Sequence, residues 1–171
     1  MENIQSAINA YFLGERNEMI SIIVGSVMVS TCIILLNRKY QRNLIKSISW
    51  SVSASGLLLS ATAISLLFRD AELRNTLLSG LSASHTTELL TTELQRINTV
   101  VGKYRIYQCV SAGIIVSSLF AVFFSKHSTV RGISIGLILL SIAQLAIDHY
   151  SENRAIQYQN QLFHALYSTL K

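Results

Sequence analysis

The residues best suited to chemistry in this chain stand together in the stretch IDHYSENR, residues 147–154. Asp148, His149 and Glu152 combine two carboxylates with an imidazole, and on a helix His149 and Glu152, three positions apart, fall on one face. Such a pair could hold a metal ion, or let a carboxylate orient a base. Zinc, however, takes three or four ligands from a protein. The other histidines are badly placed to help: His85 at a hairpin tip, His127 in a link between apolar segments, and His164 about four turns further along. No metal is therefore expected. With no phosphate loop, nucleophile elbow or dinucleotide fingerprint, neither a catalytic residue nor a cofactor is expected either.

These side chains must be positioned by long apolar segments. Half of the 171 residues are hydrophobic and only 13% are charged, a balance that places the chain in a membrane rather than in solution. Four stretches are long and uncharged enough to cross a hydrocarbon core of about 30 Å as helices: Met19 to Leu36, Ser47 to Phe68, Ile106 to Ser125 and Gly132 to Ile147. The predicted fold is all-α, a four-pass transmembrane helical bundle whose helices extend into an extracytoplasmic helical bundle. Residues 1–18 form an N-terminal amphipathic segment, with Ile4, Ile8, Tyr11 and Phe12 on a short helix over 1–12 that could also lie flat in the headgroups. This segment lacks the pattern of a cleaved signal and is expected to be retained. Residues 19–68 hold the first two spans and 106–147 the last two. Residues 69–105 form an extracytoplasmic hairpin with its turn at SASHT and a cap at Thr86 or Thr87, and 148–171 a C-terminal helix whose apolar face is Ile156, Phe163, Leu166 and Leu170.

Charge sorts between the connections. NRKYQRNLIK and KHSTVR hold six Lys or Arg and no acid, and all nine Asp and Glu lie on the other side. The positive-inside rule puts both links in the cytoplasm and both termini outside, in a bacterial inner membrane. The basic links suit anionic headgroups better than nucleic acid, so membrane lipids are expected partners and nucleic acid is not. Cys32 and Cys109 fall a leaflet apart and are not expected to bond.

Small residues mark the helix contacts. In the third helix one stripe steps by four and three from Leu90 through Ile97, Tyr104 and Ser111 to Ser125. Ser49, Ser53, Gly56, Ser60 and Ala63 do the same in the second span, and the fourth carries Gly132 and Gly136. Water rewards buried leucine, whereas lipid rewards close backbone approach, which explains the change in size along the third stripe. Such stripes could also support a homo-oligomer.

Where water begins, the helices bring Glu18, Arg69, Asp70, Lys103, Arg105, Asp148, His149 and Glu152 to one level, and an interfacial charge layer that fixes helix register is the expected role. Trp50 and Tyr40 at one interface, and Phe68, Tyr104, Tyr107 and Tyr150 at the other, match aromatic belts. Further out, Phe163 is expected in the outer core, and Tyr158 and Tyr167 at a partner-binding surface.

In size, span number and lack of catalytic groups the chain resembles the small multi-pass immunity proteins that protect bacteria against membrane-acting toxins. That resemblance implies a non-enzymatic protein that binds a toxin by direct contact on its extracytoplasmic face. The alternative expectation is a subunit of an ion channel or small transporter.

Overall fold

In the computed structural model, residues 2–40, 42–81 and 86–169 are described, and they form four helices: α1 (Glu2–Tyr40), α2 (Asn43–Gly80), α3 (Thr86–Phe124) and α4 (Ser128–Thr169). Each of the four is long and apolar enough to span a membrane. At about 1.5 Å per residue each is roughly 60 Å long, twice a hydrocarbon core. With no proline in the chain, nothing imposes a break where the apolar half meets the polar half. The expected short helix over 1–12 is accordingly the start of α1, and Ile4, Ile8, Tyr11 and Phe12 are buried in the protein core. The turn at SASHT and Leu170 lie outside the described residues, as does the side chain of Thr86.

The helices pack in the order α3, α4, α2, α1, with α1 folded back against α4; α2 and α3 touch little although they are consecutive. The expected hairpin is therefore splayed beyond its turn, where Gly80 packs on Leu89.

In the apolar half the contacts run through small residues. A Cβ on Gly132 would stand 2.8 Å from the Leu44 carbonyl oxygen and 2.7 Å from Ser47 Cβ, and one on Gly136 would stand 2.8 Å from Ser51 Oγ. Only glycine permits α4 to lie this close to α2. Gly56 sits in the same way against Ser26 and Ser30 of α1. Along α3, Leu90, Ile97, Ser111 and Ser118 of the expected stripe are buried. Cys32 and Cys109 are both free.

In the polar half the core is ordinary close packing: Ile8, Ile97, Ala155, Tyr158 and Leu162 are all at 2% exposure or less. The buried face of α4 differs from the expected one. It is Ser134, Ser141, Asp148, Ala155 and Leu162, spaced by sevens, so that α4 presents a heptad seam to its neighbours. Ile156 and Phe163, each one residue and about 100° round from that seam, face outward.

Candidate functional site

Between the two halves, all four helices line a cavity of about 320 Å³. It lies where α1 and α3, which have no close backbone approach, stay apart. Five of the eight residues expected in the charge layer reach it: Glu18, Arg69, Asp70, Lys103 and Asp148. Glu152 lies beside it, accepting a hydrogen bond from Gln108 Nε2 at 2.7 Å and so tying α4 to α3. Arg105 and His149 are exposed and turned away; the His149 ring meets the Asn153 amide, at 3.3 Å, and the Tyr150 ring.

The IDHYSENR residues therefore point three ways. Asp148 faces the cavity, Glu152 faces α3 and His149 faces outward. Among the described residues no group of three or more His, Cys, Asp or Glu is arranged to hold a metal ion.

Within that layer, among the described residues, Arg69 pairs with Asp70 at 2.9 Å, a neighbour on the same helix. Pairing between helices joins Glu18 of that layer with two residues outside it, Glu15 and Arg154. Arg154 on α4 reaches both Glu15, at 3.1 Å, and Glu18 on α1. Its stem lies over Gly14, where a Cβ would stand 2.5 Å from Arg154 Cδ, so the glycine leaves the channel through which the guanidinium reaches α1. Ser151 donates to Glu18 Oε1 at 2.5 Å, or alternatively to the Ile147 carbonyl. Two carboxylates thus share one cation. Burial pushes the Glu15 carboxyl above the ordinary glutamate range and Glu18 adds to the rise, while Arg154 opposes it.

Asp148 is only half satisfied. It is 4% exposed; Gln144 donates to its Oδ1 at 2.7 Å, and its Oδ2 has no hydrogen-bond partner. Burial raises its carboxyl above the usual range, with the Gln144 bond pulling the other way.

Above the cavity a second polar group is closed. Arg96 grips Glu93 with both prongs at 2.7 Å, and the Tyr158 hydroxyl donates to the same carboxylate at 3.2 Å. The Tyr158 ring stacks on Tyr11, centroids 4.4 Å apart. Tyr158 is thus a core residue, 2% exposed, and is no surface for a partner: it is large enough to bridge α4 to α1 and α3 while its hydroxyl finds an acceptor. Phe163, expected in the core, is 58% exposed, and Tyr167 57%. Of the expected belt residues, Phe68, Tyr107, Tyr150, Trp50 and Tyr40 do face outward, but Tyr104 turns over the cavity.

Tyr11, Tyr104 and Tyr158 are all shifted upward, in each case mainly by burial. In the folded protein these three hold their protons beyond pH ~10, where an unfolded chain releases them. Their contribution to stability is complete below that pH and is lost as pH rises past it, by about 1.4 kcal/mol per pH unit for each tyrosine. Helix content in detergent is expected to fall steeply above pH ~10, with late tyrosinate absorbance appearing together with unfolding. Gradual ionisation of all seven tyrosines with intact helices would contradict the buried placement.

No protein-family model, curated protein or solved structure matches this chain.

Proposed function

We propose that this is a non-enzymatic protein of a bacterial inner membrane, with its acidic helical ends outside, whose extramembrane bundle binds a protein partner. The observation that supports this reading is the outward face of α4: Ile156, Phe163 and Tyr167 are 37%, 58% and 57% exposed while the seam beside them fills the core. From Ala155 to Thr169 the helix carries no Asp, Glu, Lys or Arg. Aromatic-rich, charge-poor composition is what the centre of a protein interface favours. The partner in this proposal is a toxin that acts at the membrane, held by contact, as the resemblance to immunity proteins implies.

The test is a photo-crosslinker placed at Phe163 or Tyr167 in native membranes, with one at Thr99 on α3 as reference. A discrete protein adduct from α4 only, lost in Ile156→Glu, is the expected result; adducts to lipid alone, or equal labelling from Thr99, would rule the surface out.

A second reading has its own support. Asp148, with an unpartnered oxygen on a cavity between four helices, is a group that a channel or transporter subunit could use to bind a cation or proton. In that case liposome conductance would change in Asp148→Asn and not in Ile156→Glu.

A further inference from the structure

A groove of about 650 Å³ runs between α1 and α2 across the level at which both helices change from apolar to polar. Its lower part is Ile20, Ile64, Leu67 and Phe68, and its upper part carries Arg16 and Arg74. The sequence builds this in a simple way. On α1, Phe12, Leu13, Arg16 and Ile20 share a face, and on the antiparallel α2 so do Ile64, Leu67, Phe68, Ala71 and Arg74. At 1.5 Å per residue, Arg16 stands about 6 Å above Ile20 and Arg74 about 9 Å above Phe68.

Among the described residues, neither arginine of the groove forms an ion pair. Arg16 is exposed. Arg74 donates twice to Asn9 Oδ1, at 3.0 and 2.7 Å; this neutral acceptor aims the guanidinium without cancelling its charge. Asp70 also lines the groove, but it is held by Arg69. Two arginines over an apolar channel that opens sideways match a phosphodiester joined to acyl chains, since a guanidinium fork fits phosphate oxygens and the chains continue into the bilayer. An acidic protein segment would match the arginines but would have no use for the exposed Ile64 and Phe68 below them.

We infer that the α1–α2 groove binds an anionic phospholipid, its phosphate between Arg16 and Arg74 and an acyl chain along Ile20, Ile64 and Phe68. The site is independent of the partner-binding face on α4.

The test is native mass spectrometry of the full chain in mild detergent, titrated with phosphatidylglycerol and phosphatidylcholine of the same acyl chains. Phosphatidylglycerol is expected to bind about tenfold more tightly, and the double variant Arg16→Gln/Arg74→Gln to remove that preference. Because Arg74 also ties α2 to Asn9, Arg16→Gln alone is the second arm; among the described residues the exposed Arg16 side chain makes no hydrogen bond or ion pair, and the variant is expected to lose roughly threefold of the preference. Equal binding of the two lipids, an undiminished preference in Arg16→Gln, displacement by inorganic phosphate alone, or dimerisation that excludes lipid from the groove would each overturn the inference.

Discussion

Arg154→Met is expected to destabilise the polar half of the bundle by about 3–5 kcal/mol, the scale seen when one partner of a buried pair is removed and the other is left behind. The methionine keeps most of the stem that packs over Gly14, so the loss is chiefly electrostatic. What remains is Glu15 and Glu18, whose side chains are only 10% and 12% exposed, on one face of α1 with no cation between them. One or both must then take up a proton or move into water, and α1 separates from α4. Thermal unfolding followed by circular dichroism gives the size of the loss; hydrogen exchange gives its place, with protection lost over residues 4–18 and kept in the apolar half. Adding Glu15→Gln and Glu18→Gln to Arg154→Met is expected to restore most of the stability, because an amide costs far less to bury than an unpaired carboxylate. A single variant within about 1 kcal/mol of the parent would mean that the cluster is solvated and worth no more than a surface pair.

Tyr158→Ala is expected to cost a similar 3–5 kcal/mol, the range for emptying the place of a buried aromatic ring. The cavity would open where α1, α3 and α4 meet, removing the stack on Tyr11 and one of the donors to Glu93. Tyr158→Phe separates these effects. It keeps the ring and leaves Glu93 to Arg96 alone, so a loss of about 1 kcal/mol is expected, the net value of one hydrogen bond. Chemical denaturation of the two variants side by side measures the difference; a phenylalanine as damaging as the alanine would show that the hydroxyl, and not the packing, holds the helices together.

The helix stripes were open to reading because their spacing is regular and their residue types agree with their surroundings. Leu90, Ile97, Ser111 and Ser118 keep one phase along α3, and the small residues of α2 and the Gly132–Gly136 pair identify their own contacts. α4 was opaque for a physical reason. Its seam runs through Ser134, Ser141, Asp148, Ala155 and Leu162, a series with no common polarity, while the larger apolar residues Ile156 and Phe163 occupy the next face. Ranking by hydrophobicity therefore rotates the helix by one residue, and with it exchanges the roles of Tyr158 and Phe163. The same series conceals the site. Asp148 looks like the end of a span, yet it is a buried seam position; Arg154 looks like one surface charge among many, and its partners lie more than 130 residues away. The spacing of Glu15 and Glu18, three apart on one face, was the available signal, but their cation could be identified only once α1 was known to fold back against α4.

The unbroken helices also have a mechanical consequence. A stiff lever about 60 Å long that tilts by about 5° moves its far tip by about 5 Å, and on α4 the glycine crossing with α2 supplies the fulcrum. A load that leans on the aromatic outer arm of α4 is therefore felt at the opposite end of the molecule, beside the basic turns, with no joint in between to absorb it.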